Sequence, residues 1–211
     1  MKTPYLLLLA AAVTPAFAQT ASAKSSLNYN RVAVGYSSDD LLKGFNITAS
    51  ALLGDAIIVS GIYDDVDAKG DAAGLSGKLS GFGLAYKFNV GPGDLSVGYS
   101  YKTGTVYGDF DNFSASGLAS AEQKGFGISY RQAINNQLEF SVGYARLETL
   151  VGLIATNGSI VGADSIDSTT NSYNVGLRYN ITKNLDMSFN YAFQNENAGG
   201  DKFGVSVGYS F

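Results

Sequence analysis

The segment Lys202 to Phe211, KFGVSVGYSF, puts Phe203, Val205, Val207, Tyr209 and Phe211 at every second position, with Lys202, Gly204, Ser206, Gly208 and Ser210 between them. Alternation this strict describes an extended strand with two unlike faces. A soluble strand of this kind normally turns charged or β-branched residues to water, whereas the second face here is mostly glycine and serine. Something other than bulk water is expected on that side.

The same pattern recurs along the chain, ten segments in all. Their apolar faces run through Val32, Val34 and Tyr36; Phe45, Ile47, Ala49 and Ala51; and Ile57, Val59 and Tyr63, where the register of residues 56–63 is least clear. They continue through Phe82, Leu84, Tyr86 and Phe88; Leu95, Val97, Tyr99 and Tyr101; and Phe126, Ile128 and Tyr130. Leu138 to Tyr144, Tyr173 to Ile181 and Leu185 to Phe193 alternate likewise before the closing segment. Helical spacing is nowhere sustained. The connections fall into two classes. Leu53 to Asp55, Asn89 to Asp94, Ala133 to Gln137 and Thr182 to Asn184 are short and turn-like. Asp64 to Leu79, Thr103 to Lys124 and Glu148 to Asn171 are polar and read as long loops, with Ser38 to Gly44 and Gln194 to Asp201 as shorter members of that class.

An even number of antiparallel strands, apolar on one face and small or polar on the other, with short turns on one rim, describes an all-β fold: a closed antiparallel transmembrane up-and-down β-barrel, ten strands, with eight as the alternative. In lipid every backbone N–H and C=O needs an internal partner, and only a sheet without edges supplies one. With both termini on the periplasmic side, the loop rim is extracellular. The outward residue nearest that rim is then aromatic on every strand: Tyr36, Phe45, Tyr63, Phe82, Tyr101, Phe126, Tyr144, Tyr173, Phe193 and Phe203. This reads as an interfacial girdle. Phe88, Tyr130, Tyr179, Tyr209 and Phe211 form a sparser belt at the other rim.

Export fits the N-terminus. Lys2 precedes an apolar run from Tyr5 to Val13, and small residues at Ala16 and Ala18 suit a signal peptide, residues 1–18, with a second cleavage site as late as residue 23. Residues 19–211 then form one barrel domain in the bacterial outer membrane. The chain has no cysteine, which excludes disulfides, thiolate metal sites and lipid attachment through a thiol. Its formal charge of −4 becomes one unit more negative when Lys2 is removed, which argues against nucleic acid as a partner.

The closing stretch, with Lys202, Gly204, Val207, Tyr209 and terminal Phe211, resembles the C-terminal assembly signal of bacterial outer-membrane barrels. The whole mature chain is similar in pattern to small porin-like outer-membrane proteins. That resemblance implies recognition by the outer-membrane assembly machinery, and it concerns fold and location rather than chemistry.

No catalytic, cofactor or metal site is expected. Histidine is absent, which removes the usual general base for activating a serine or a water. The acidic stretch containing Asp64, Asp65, Asp67 and Asp71 fails as a calcium loop, because Lys69 stands where an oxygen ligand is needed; Asp109 and Asp111 are likewise read as solvated. By strand parity Lys43, Lys78, Lys124 and Arg146 point outward just above the girdle, where lipopolysaccharide phosphates are the expected contact. Inward parity collects Arg31, Lys87, Lys102, Arg131, Arg178 and Lys202 against Glu139 and Asp186. Arg131 with Glu139, and Arg178 with Asp186, flank periplasmic turns and should meet across them. Two functions follow. One is a non-enzymatic barrel that serves envelope structure or binds an extracellular ligand with its loops. The other is a narrow channel for small solutes with a slight anion preference.

Overall fold

A computed structural model describes residues 28–69, 74–110, 115–157, 160–194 and 200–211, with side chains left aside at 108–118 and 153–166. The proposed signal peptide, the alternative cleavage site, Asp71 and Asp111 lie outside the described residues, as does the side chain of Asp109.

Ten antiparallel strands follow one another: β1 (Arg31–Ser38), β2 (Leu42–Leu53), β3 (Ile57–Ala68), β4 (Ser76–Val90), β5 (Gly93–Phe110), β6 (Ala115–Ala133), β7 (Leu138–Asn157), β8 (Ile160–Asn180), β9 (Leu185–Gln194) and β10 (Lys202–Ser210). Each pairs with its neighbours in sequence. β10 then returns to β1, with Arg31 opposite Ser210 and Tyr36 opposite Val205, and the sheet closes into a barrel. Tight turns join strands at the rim that holds the start of β1 and the end of β10, hereafter the terminal rim. The β4–β5 turn has Gly91 at φ +61°, a left-handed conformation that favours glycine, followed by Pro92 with its fixed negative φ. That order suits a II′ hairpin.

The alternation sorts the two faces. Val34, Phe45, Leu84, Val207 and Tyr209 stand more than half exposed on the outside, or nearly so, while Ala33, Ser206, Gly208 and Ser210 are buried within. Register in β3 is now plain. Ile57, Val59, Gly61 and Tyr63 face outward and Ile58 and Ile62 inward; the pattern is blurred in the sequence because this strand carries isoleucine on both faces and an outward glycine.

All ten girdle aromatics lie on the outward face. Tyr36 stands directly opposite Phe45, Phe82 opposite Tyr101, and Tyr173 opposite both Tyr144 and Phe193. Three of these pairs bring ring centroids within 5.3, 5.9 and 5.1 Å. At the other neighbours the ring slips by two residues: Phe203 faces Tyr191 rather than Phe193, and Phe126 faces Tyr99 rather than Tyr101. Such slips are what a level ring requires when barrel strands are tilted, since equal height then falls on successive diagonals of the ladder.

The long loops expected from the sequence are, for the most part, strand. β5 and β6 remain paired up to Phe110 with Ala115, and β7 and β8 up to Asn157 with Ile160. Asp64 to Ala68 belongs to β3 and Ser76 to Leu79 to β4. These stretches carry only isolated large outward apolar residues, such as Tyr107 and Leu150, which is why they read as loops; in β3 to β7 the inward positions nevertheless have something to bury. Leu42, Val66, Leu75, Leu79, Val106, Ala119, Ala121 and Val151 meet in an apolar cluster at the far rim. Replacing Thr103–Lys124 by a tight turn should therefore lower the barrel's thermal midpoint, because it removes Val106, Ala119 and Ala121 from that cluster. Heat-modifiability on semi-native gels measures it; an unchanged midpoint would show that the extensions are dispensable.

Candidate functional site in the barrel interior

Every charge assigned inward by parity is found inside: Arg31, Lys102, Arg131, Glu139, Arg178, Asp186 and Lys202 are buried, and the Lys87 side chain nearly so. At the terminal rim they form a network. Arg131 and Glu139 meet across the β6–β7 hairpin, and the Arg178 Nη2 donates to Asp186 Oδ2 at 2.7 Å across β8–β9. Asp186 also takes two bonds from Arg31, at 3.0 Å from Nε and 2.6 Å from Nη2. The Arg178 Nη1 lies 3.7 Å from Glu139 Oε2, so two acids and three guanidiniums form one connected group.

Glycines set the reach of the long cations. Arg31 on β1 gets to Asp186 on β9 by crossing β10 at Gly208, where a Cβ would fall within the guanidinium. Lys102 on β5 crosses β4 at Gly81 and reaches Asp64 of β3 at 3.1 Å; a Cβ on Gly81 would strike the Lys102 stem. A basic side chain, a bare glycine on the next strand and an acid on the strand beyond make the same unit twice.

Four interior residues escaped the sequence reading. Asp94, fully buried, was placed in a turn although its parity matches Lys102; it accepts from the Tyr29 hydroxyl at 2.5 Å and pairs with Lys87 Nζ at 3.1 Å. Tyr29, just before β1, shares the parity of Arg31 and lies under Lys87, whose Nζ is 5.4 Å from the ring centroid. Burial, reinforced by the Asp94 carboxylate, pushes its phenol well above the ordinary range. Asp64 was expected on a solvated loop. It points inward while Asp65 and Asp67 have opposite or more exposed settings, so these carboxylates do not converge, and no metal-holding group of His, Cys, Asp or Glu occurs among the described residues. Asp39, in the β1–β2 connection, accepts from the backbone N–H groups of Leu41 and Leu42 at 2.8 and 2.7 Å. Burial raises its carboxyl, opposed first by the charge of Lys202 and then by those N–H groups. With Asp39, Asp64 and Asp94 added, the interior cations no longer outnumber the acids by the wide margin that suggested anion preference.

The lumen is unequal across its width. On the β2–β7 side the far-rim cluster is apolar, and Ile58, Ala85 and Tyr29 form a second apolar group towards the terminal rim. From β8 to β10 the wall is polar, and Ser168, Thr170, Ser172, Asn174, Gln194 and Ser206 each have a buried side-chain atom without a hydrogen-bonding partner in the protein.

Outside, Lys43, Lys78, Lys124 and Arg146 are exposed as parity required. Acids accompany them: Asp65 lies 3.6 Å from Lys78, Glu122 2.7 Å from Lys124 and Glu148 3.8 Å from Arg146, while Asp67 stands opposite Lys43. This outward row is zwitterionic rather than purely basic.

No family model matches the chain, and no curated protein matches it. Solved structures similar to it are barrels. The KdgM porin in complex with disordered oligogalacturonate is 12% identical over 86% of this chain and 99% of its own, with a TM-score of 0.46. Neisserial surface protein A (NspA) is 12% identical over 86% of this chain and 96% of its own, at 0.39. OmpT, an outer membrane protein of Vibrio cholerae, is 11% identical over all of this chain and 74% of its own, at 0.36. The chain itself is a closed, ten-stranded, antiparallel up-and-down β-barrel.

Proposed function

We propose that this protein is an integral, non-enzymatic β-barrel of the bacterial outer membrane, exported through a cleaved signal peptide, and that it serves envelope structure or surface interaction. The observation that carries this reading is the pairing of a solvent-averse exterior with a filled interior. A continuous outward band of exposed apolar side chains, bounded by an aromatic ring, has no place in water and suits hydrocarbon. Inside, the charged network at one end and the apolar cluster at the other put side chains into the lumen, which supports a filled interior over an open channel.

The terminal rim is then periplasmic and the far rim extracellular. Lys43, Lys78, Lys124 and Arg146 lie where lipopolysaccharide phosphates pass, and their neighbouring carboxylates suit the cations held between those phosphates. The paired extensions of β5 to β8 would present an extracellular ligand with a rigid surface rather than loose loops. The absence of histidine supports the non-enzymatic assignment.

Planar-bilayer recording of refolded protein tests the reading. The parent should be silent, and so should the Glu139→Ala, Asp186→Ala double variant, because the far-rim cluster remains. The second reading, a narrow channel, draws on the polar β8–β10 wall. Conductance steps in the parent would make it the better one. A silent parent with an anion-selective double variant would identify the charged network as that channel's closure.

A further inference from the structure

The height of the wall rises gradually round the barrel and then drops in one step. Beyond the aromatic ring β2 continues to Leu42, β4 to Ser76, β6 to Ala115 and β8 to Ile160, whereas β9 stops at Gln194, the residue after Phe193. The last rung between β8 and β9 joins Ser172 to Gln194, while β8 stays paired with β7 as far as Ile160 with Asn157. Among the described residues, 160–170 of β8 therefore have a strand on one side only. That edge is roughly 35 Å long at about 3.3 Å per residue.

The ladder fixes which backbone groups face it. The N–H of Asn180 donates to Gln137 O on the β7 side, and that of Ile181 to Leu185 O on the β9 side. The register of β7 with β8 holds without a bulge from Tyr179 to Ile160, so even-numbered residues turn their N–H and C=O to β7 and odd-numbered ones turn theirs away. Thr169, Asp167, Ser165, Ala163 and Val161 thus present donors and acceptors to the open side. Within hydrocarbon such groups would be stranded, and the sheet is closed there; it opens only beyond the ring.

Sheet edges are ordinarily blunted by lysine, proline or a bulge. This one has none of them: the chain carries no proline, lysine or arginine between Arg146 and Arg178, and the charges along the edge are Asp164 and Asp167. The chain from Ala192 to its partner Lys202 is too short to climb it, since out and back it covers no more than about four residues past Gln194. Two copies joined edge to edge about a two-fold axis would set these aspartates against one another, which is unfavourable.

We propose that the open edge of β8 from Val161 to Thr169 is a docking site for an extended, positively charged peptide segment of another protein, which adds as a strand beside β8 and sets a basic side chain against the exposed Asp167. In the orientation proposed above the edge stands outside the cell, and the docked strand is the partner of the surface-interaction reading.

Fluorescence anisotropy of a short labelled peptide of alternating lysine and threonine, titrated with the refolded full barrel in zwitterionic nanodiscs, tests this. Saturable binding is expected. N-methylation throughout the peptide backbone keeps its charge and removes every donor, and should weaken binding by about tenfold or more; Asp167→Asn should weaken it severalfold. Ser165→Pro removes one edge N–H and leaves the β7 ladder whole, so it should also cost about tenfold while the thermal midpoint stays that of the parent. Absence of binding, or equal affinity of the N-methylated peptide, would overturn the proposal and leave the membrane assignment untouched. Dimerisation of the parent barrel that Ser165→Pro abolishes would give the edge to a second copy and overturn it likewise. Should Ser165→Pro fail to fold, the two peptides compared on the unaltered barrel still decide.

Discussion

Asp186→Ala is expected to lower the unfolding free energy by about 3–5 kcal/mol, the range for removing one partner of a buried ion pair. The carboxylate is almost fully buried and takes three charged hydrogen bonds, two from Arg31 and one from Arg178. Its loss strands two guanidiniums that already share the wall with Arg131. Ser188→Ala, which removes only a hydroxyl 3.3 Å from Arg31 Nη2, should cost about 1 kcal/mol. Equilibrium urea unfolding in lipid vesicles measures both. A cost below about 1 kcal/mol for Asp186→Ala would mean that water solvates the arginines as well as the acid does, and that the network is not a closed one.

Assembly supplies the second large effect. β10 is bonded on both sides, to β9 and to β1, and Tyr209 stands outward, 56% exposed, opposite Val32 and Leu185. Tyr209→Asp puts a charge on the face proposed to meet lipid, and deleting Phe211 removes both an outward ring and the N–H that bonds Asn30 O at 3.0 Å. Both changes should reduce membrane insertion severalfold. Ser206→Ala and Ser210→Ala alter the inward face and should insert nearly as the parent does, although Ser210 gives up its bond from Arg178. Folded barrel recovered from outer-membrane fractions reports the result. Equal recovery of all four variants would remove β10 from any special part in assembly.

Tyr36, Phe45 and Phe203 were legible as a ring because a strand's period is two, so parity alone assigns a face wherever outward residues are large and inward ones small. Parity also placed the interior charges, and adjacent strands brought Arg131 to Glu139 and Arg178 to Asp186 across their turns. It was least clear at Ile57 to Tyr63, where both faces are apolar, although the outward assignment of Ile57, Val59 and Tyr63 is what the barrel shows. It failed at Thr103 to Lys124, where neither face shows large residues in a regular row.

What the order of residues determined by itself was the strand count, the direction each residue faces and the two unlike rims, since all three follow from local alternation and turn chemistry. Contacts between strands that are not sequence neighbours were decided only by closure. Arg31 meets Asp186 because β10 lies beside both β1 and β9 and offers Gly208 as a gap. Tyr29 meets Asp94 because the barrel brings residues 65 positions apart into one lumen. The far extensions of β5 to β7 likewise rest on the far-rim cluster, whose members come from β2 to β7 and the segment before β4 and whose packing no single stretch of sequence contains. Local periodicity writes the wall of the barrel; the curvature of the closed sheet chooses which side chains meet within it.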